Sequence, residues 1–387
     1  MAFPNSFDFR SPTRVVHGAG SVARLPELLP EGEKVLVVSD RGLEQAGVVE
    51  RVTSTLDDAG VAWALFTDVT ANPVARNVSS GARLYERAGC GAILGVGGGS
   101  PMDVAKMIGV IVSHGGRIGS YIGYQDKVTR ELPPLVCVPT TYGTGSEVTP
   151  FAVLTHPRTR NKEPVISWRL APRAAVLDPE LAVALPASVG GPTGMDALTH
   201  ALESYTNLLS TPFTEGLALG AIELIGGNLR RACANDHELE ATGNMLIASC
   251  LAGVAFSQTR LGNVHAMSHP VGARHGVHHG LANAVILPHV MEYNLQARVP
   301  EFAAVAAALG EETDGHGDYD AACLAVEAVR RLNEDLGIPG HLCDAGVEDP
   351  DIEGLAEAAM RSGNVRVNPR KTTMSDMEEL FRKSCGL

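Results

Sequence analysis

Four short apolar runs separated by helix-like stretches constrain the first half of this chain more than any other feature. The runs are KVLVVSD (34–40), VAWALF (61–66), GAILGVGGGS (91–100) and PLVCVPTT (134–141). Each is brief and is stopped by polar residues or glycine, the pattern of a buried strand. Between them, 48–60 and 77–89 read as helices. Strand–helix alternation implies a parallel sheet with helices on both faces. From about residue 190 the texture changes. Segments 192–208, 213–234, 239–258, 299–310 and 319–336 carry helical periodicity, and β-rich runs nearly vanish. The sequence therefore predicts an α/β N-terminal domain with a parallel sheet over 1–185 and an all-helical C-terminal domain over 186–387. The division falls near the Pro- and Gly-rich stretch 177–192.

Composition excludes several classes. A chain of 387 residues has a prior of about two to three domains at ~150 residues each. With 45% hydrophobic and 19% charged residues it is neither disordered nor fibrous. A net charge of -13, from 31 basic and 44 acidic residues, argues against nucleic acid or an anionic membrane as the main partner. The N-terminal residues MAFPNSFDFRSPTR lack the basic and apolar regions of a signal peptide. The apolar runs are broken by Gly, Pro or charge before the ~20 residues a spanning helix needs. Seven scattered cysteines form no CxxC pair, so a disulfide framework or thiolate zinc site is not expected. The expected setting is a reduced cytoplasm, with most cysteines acting as small buried hydrophobes.

A glycine-rich turn follows the third run. Gly97-Gly98-Gly99-Ser100-Pro101-Met102-Asp103 leaves a strand and opens the helical stretch VAKMIGVIV. Glycines let a backbone approach a pyrophosphate, and the helix N-terminus offers free N–H groups and the positive dipole end. The turn is neither GxGxxG nor a Walker A loop, so no standard fingerprint names the ligand. Asp40 closes the first run, where an acid can accept both ribose hydroxyls and repel a 2′-phosphate; the bland alternative is a helix cap. The run Pro139 to Ser146 again turns from strand into a hydroxyl- and glycine-rich loop.

The helical half carries a histidine–carboxylate pattern. Asp196 and His200 stand at i, i+4 in GMDALTHALESY, on one helix face. His265 and His269 repeat that spacing in GNVHAMSHPVG, and His279 follows in HHG. Imidazole with carboxylate suits divalent iron or zinc. Spacing alone does not say which histidine is not a ligand.

Together these motifs resemble the iron-containing (group III) alcohol dehydrogenase family over nearly the whole chain. The resemblance rests on VVHGAG, GGGSPMDVAK, PTTYGTGSEVT, LDPEL, GMDALTHALESY, GNVHAMSHPVG and HHGLANAVILPHV. It implies a dinucleotide-binding N-terminal domain and one divalent metal, Fe(II) or alternatively Zn(II), held by the helical domain in the interdomain cleft. By motif, the implied ligands are Asp196, His200, His265 and His279. His269 matches a non-ligand histidine near the nicotinamide and is the candidate proton relay. Gly98, Gly99, Ser100 and Asp103 match the pyrophosphate loop. Thr140, Thr141, Thr144 and Lys162 match further cofactor contacts, Asn72 an adenosine-side contact, and Asp40 a position favouring NAD over NADP.

This sequence departs from the family pattern at three places. Tyr142 stands where alanine is common, and Arg274-His275 replace an apolar or aromatic pair. His278 replaces the proline that usually precedes the last ligand, while Gly280 favours His279 as that ligand.

The resemblance implies an NAD-dependent, metal-dependent alcohol dehydrogenase or aldehyde reductase, cytoplasmic and homodimeric, acting on a small primary alcohol or aldehyde. Two other enzyme readings stand beside it. Arg274, facing the substrate, would favour a carboxylate- or phosphonate-bearing hydroxy acid/semialdehyde pair. A lyase resembling dehydroquinate synthase would use NAD only transiently. A non-catalytic metal-binding or assembly protein is the third alternative, and the phosphate-cradling turn argues against it.

Overall fold

The computed structural model describes residues 6–122, 127–155 and 162–387. Contacts divide the chain into a unit Ser11–Ala184 and a unit from Leu185 to Leu387, which residues 6–10 join.

The first unit contains strands β1 (Arg14–His17), β2 (Val35–Val38), β3 (Trp63–Phe66), β4 (Ala92–Gly97), β5 (Leu135–Pro139), β6 (Phe151–Thr155), β7 (Lys162–Ile166) and β8 (Ala174–Leu177). Its helices are α1 (Leu25–Leu28), α2 (Arg41–Gln45), α3 (Val48–Asp58), α4 (Ala75–Ala88) and α5 (Gly99–His114). Six strands form one parallel sheet in the order β1-β8-β5-β4-β2-β3. Strands β6 and β7 form a separate antiparallel pair, with Phe151 opposite Ile166 and Thr155 opposite Lys162.

The uninterrupted apolar run of β2 has a direct cause. All four residues are buried. Leu36 and Val38 join the core shared with α4 and α5, whereas Val35 and Val37 join the core shared with α1 and α3. Alternate side chains serve opposite faces, and both faces are covered.

Topology fixes where a ligand can bind. From β2 the chain steps to β3 on one side, then crosses back so that β4 lies on the other side of β2. The carboxyl ends of β2 and β4 thus flank a topological switch point, the place where open α/β sheets bind ligands. Asp40 and the glycine-rich turn leave the sheet there.

Four of the strands lie inside the runs read from the sequence. Strands β1 and β8 were not among them. Strand β1 is an edge strand with Val15 exposed, so it lacks an apolar run. Strand β8 is four buried residues, Ala-Ala-Val-Leu, too short and too alanine-rich to stand out.

The second unit contains α6 (Ala187–Thr206), α7 (Pro212–Ala234), α8 (Leu239–Thr259), α9 (Asn263–His275), α10 (His279–Leu295), α11 (Val299–Ala308), α12 (Asp318–Asp335), α13 (Ile352–Met360) and α14 (Met374–Cys385). No strand occurs in it among the described residues. Helices α6, α7 and α8 pack on one another, and α10 packs on α6, α9 and α12. Pro212 occupies the first turn of α7 behind a Thr211/Thr214 capping box, a strong start signal. Phe7 and Phe9 lie against Phe213, with ring centroids 5.7 and 5.2 Å away, which ties the N-terminal segment to this unit.

Helix α8 is long and apolar enough by composition to cross a membrane, with a mean hydropathy of 1.4. Here 67% of its most apolar window is buried by the protein itself, which is how a core helix satisfies an apolar surface on all sides.

Candidate functional site

Helix α6 supplies the first two residues of the helical-domain site. Asp196 and His200, one turn apart, are both buried. Helix α9 contributes His265 two residues past its start, and α10 contributes its first residue, His279. Asp196 Oδ1 is 3.8 Å from His200 Nε2, 3.6 Å from His265 Nε2 and 3.7 Å from His279 Nε2. The ligand atoms of Asp196, His265 and His279 all lie within 4.8 Å of one another. Ligands at ~2.1 Å from a tetrahedral ion would stand ~3.4 Å apart, so the spacing of Asp196, His265 and His279 fits one divalent cation, with His200 reaching Asp196 from the same helix. His278 is the exposed residue before α10, and His279, not His278, turns toward Asp196.

Two glycines make this convergence possible. A Cβ on Gly280 would lie 2.3 Å from the Pro192 carbonyl oxygen, so α10 starts directly against the α6 backbone. A Cβ on Gly262 would lie 2.9 Å from Glu203 Oε1, so α9 starts directly against an acid.

Glu203 is the first residue the sequence reading missed. Its Oε1 accepts from Val264 N at 2.6 Å, and its Oε2 lies 2.6 Å from His265 Nδ1. The carboxylate thereby holds the Nδ1–H tautomer and leaves Nε2 for an ion. The signal was available: Asp196, His200 and Glu203 stand at i, i+4, i+7 on one face of α6.

Asn283 is the second. Its Nδ2 lies 2.6 Å from Asp196 Oδ1 and 3.2 Å from Nε2 of both His265 and His279. Its Oδ1 is buried without a hydrogen-bond partner. An amide nitrogen packed against one carboxylate oxygen and two imidazole nitrogens, with its own oxygen orphaned, marks the point where these side chains converge. Asn283 stands one turn after His279, the same i, i+4 spacing as Asp196/His200 and His265/His269.

Electrostatics agree. Burial works to raise the Asp196 pKa, but His200, His279 and His265 around it hold it well below the usual carboxylate range. Burial pulls His265 down, yet Glu203 and Asp196 lift it to about 9. His200 is stacked between Phe256 and His265, at centroid distances of 4.4 and 4.7 Å. His269 lies beside the cluster, its ring 5.4 Å from His279 and 6.0 Å from His265.

Arg274 is placed elsewhere. Its Nη1 donates to Asp351 at 3.1 Å and its Nη2 to the Gly354 carbonyl at 2.9 Å, so the guanidinium is committed to the start of α13. Tyr142, the other departure, is fully buried.

In the first unit the glycine-rich turn is roofed by the 140–146 loop. A Cβ on Gly98 would meet Thr141 Oγ1 at 3.3 Å, and one on Gly99 would meet Thr144 Cγ2 at 2.9 Å. Gly97 adopts φ +142, and a Cβ there would meet Pro101 at 2.7 Å. Thr140 N donates to the Gly97 carbonyl at 3.1 Å, which joins the two loops. Helix α5 begins at Gly99 with no side-chain cap, so its first-turn N–H groups have no capping side chain. Ser100 Oγ donates to the Ala71 carbonyl at 2.8 Å, which brings the exposed Asn72 segment beside the turn.

Asp103 serves as a brace. Its carboxylate accepts from Ser146 Oγ at 2.7 Å and from Val153 N at 2.9 Å, and Lys162 on β7 is near enough to act on its charge. Asp40 caps α2, accepting from Leu43 N at 3.0 Å.

Comparison with known proteins follows the same division. Residues 12–179 match the family model for iron-containing alcohol dehydrogenase, and 192–385 match the C-terminal model of the Fe-containing alcohol dehydrogenase family. A 1,3-propanediol dehydrogenase of Citrobacter freundii is 43% identical over 98% of each chain. An NAD-dependent methanol dehydrogenase of Bacillus methanolicus is 38% identical over 97% of this chain and 99% of that one. A crystal structure of a 1,3-propanediol oxidoreductase superposes with a TM-score of 0.95 at 42% identity, over 98% of this chain and 100% of that one.

Proposed function

Because the chain belongs to the iron-containing alcohol dehydrogenase family, an oxidoreductase family, we propose that it interconverts a small primary alcohol or diol and its aldehyde, using NAD and one divalent metal. The observation that carries this reading is the convergence of Asp196 with Nε2 of His200, His265 and His279 at 3.6–3.8 Å.

The donor set fits a divalent ion: one carboxylate and three imidazoles, with the Asn283 side chain against them. Fe(II) is the proposed metal, with Zn(II) the alternative that the same ligands suit. When bound, the ion supplies Lewis acidity that lowers the pKa of an alcohol. Glu203 keeps His265 turned and in one tautomer. Asp196 holds the negative charge that balances the cation. His269, beside the cluster, is the proposed proton relay, a role imidazole side chains commonly take. The bare N-terminus of α5 with Gly98 and Gly99 binds the pyrophosphate, and Thr140, Thr141, Thr144 and Lys162 border it. Asp103 acts through the loop it braces. Asp40 and Asn72 stand on the adenosine side, where the acid disfavours a 2′-phosphate.

The hydroxy acid alternative rested on Arg274, whose guanidinium is paired with Asp351. The lyase and scaffold alternatives give way to the family assignment. The proposed setting is cytoplasmic, as a homodimer, with a small-molecule substrate and neither nucleic acid nor membrane as partner; the net charge of -13 supports that choice.

The test is NADH formation by anaerobically purified protein loaded separately with Fe(II) and Zn(II). The panel contains short alcohols, 1,2- and 1,3-diols, hydroxy acids and their aldehydes, each with NAD and NADP forms. Metal-dependent turnover that disappears in His265→Ala is expected. No hydride transfer with either metal would overturn the reading.

A further inference from the structure

The last turn of α14 runs against the segment after α12. Leu342 N donates to the Ser384 carbonyl at 2.7 Å, and a Cβ on Gly386 would stand 3.0 Å from the His341 ring. This pairing sets Cys343 and Cys385 next to each other on the two paired segments, close enough for Cys343 to act on the Cys385 thiol. Cys385 is buried and Cys343 partly exposed. A disulfide tolerates little backbone movement, and here the two segments are already joined by a backbone hydrogen bond one residue before each cysteine.

We propose that Cys343 and Cys385 are a modification site: a reversible intramolecular disulfide that forms in the folded protein by exchange with a low-molecular-weight disulfide. The partly exposed Cys343 thiolate attacks one sulfur of oxidised glutathione, and one glutathione thiol leaves. Cys385 then attacks the Cys343 sulfur, its proton passes to solvent, and the second glutathione leaves. The two protein thiols lose two electrons in total, and the glutathione disulfide gains them. The order follows from exposure. Cys385 is buried out of reach of outside oxidants, so it serves as the resolving partner and gives up its proton as it attacks the neighbouring mixed disulfide.

The bond would staple the end of α14 to the 341–347 segment. Helix α14 packs on α13 and on α10, which carries His279 and Asn283, so closure fastens the outer support of the ligand helix. The inference stands apart from the proposed hydride chemistry and needs neither metal nor cofactor.

The experiment uses the full-length folded protein with oxidised glutathione, alkylation, and peptide mapping without reduction. The expected product joins the Cys343 and Cys385 peptides, weighs two hydrogens less than the starting protein, retains no glutathione, reverts with dithiothreitol and melts at a higher temperature. Cys385→Ser is expected to keep glutathione on Cys343, and Cys343→Ser to lose both products. Since Cys343 is partly exposed, its variant folds even if a change at Cys385 does not. Wild-type protein that stays glutathionylated at Cys343, leaves both thiols free, or cross-links them only in denaturant would overturn the proposal.

Discussion

Glu203 Oε2 and His265 Nδ1 lie 2.6 Å apart, and both side chains are buried. The acid sits on α6 with Asp196 and His200, so a single helix carries two of the proposed ligands and the group that orients a third. Outer partners of this kind change metal affinity by about 10–100-fold. Glu203→Gln keeps the shape but leaves either the Val264 amide or the His265 ring without its acceptor. The expected result is metal affinity lower by roughly that factor, with kcat recovered at saturating metal. Competition with a metal-sensitive dye measures this directly. An unchanged dissociation constant would assign Glu203 to packing alone.

Gly99 is held to glycine by Thr144, whose Cγ2 would be 2.9 Å from a new Cβ. Gly99→Ala forces the threonine, and with it the roof of the turn, outward. NAD affinity, followed by NADH fluorescence titration, is expected to fall about tenfold, equivalent to ~1.4 kcal/mol. Thr144→Ser removes the opposing methyl, so the double variant Gly99→Ala/Thr144→Ser is expected to recover most of the loss. Failure to recover would mean that the glycine matters for reasons other than Thr144.

The strands with continuous apolar runs, the glycine turn and the Asp196/His200 spacing were legible because each is a local pattern. Strands β1 and β8 were not, since an exposed edge and a four-residue Ala-rich strand carry no periodic signal. Glu203 and Asn283 escaped for a different reason. Each lies at helical spacing from a ligand, but what distinguishes them is the partner across a helix contact, and that pairing is tertiary. Arg274 was open between substrate and surface, and only its bonds to Asp351 and Gly354 show how the guanidinium is used. Asp40 was read both as a ribose acceptor and as a cap; the cap is visible in the fold, and the two roles share one strand end.

Glu147 predicts a pH dependence of stability. It is buried, and burial first of all pushes its pKa from the ordinary 4.5 to about 7, against the pull of its own amide and of Lys106. Between those values the folded state keeps a proton that the unfolded chain has lost. Stability is therefore full below about 4.5 and falls as pH rises through about 7. The change is on the order of 2–3 kcal/mol for such a shift. Urea unfolding at pH 5 and pH 8 should show wild type losing that much relative to Glu147→Gln. Parallel behaviour of the two proteins would show that Glu147 titrates normally.

Asp40 offers a substitution that separates its two roles. Its Oδ1 accepts from Leu43 N and caps α2, while its charge lies at the end of β2 beside the switch point. Asparagine caps a helix about as well as aspartate does, whereas alanine costs about 1 kcal/mol. Asp40→Asn should therefore retain the wild-type Tm yet remove the negative charge facing a 2′-phosphate. Its ratio of kcat/KM for NADP to that for NAD is expected to rise at least tenfold, mainly through KM for NADP. Asp40→Ala should show the same change in cofactor preference with a lower Tm. If Asn leaves the ratio untouched while Ala lowers Tm, Asp40 is only a cap, and cofactor choice rests on other residues of the first unit.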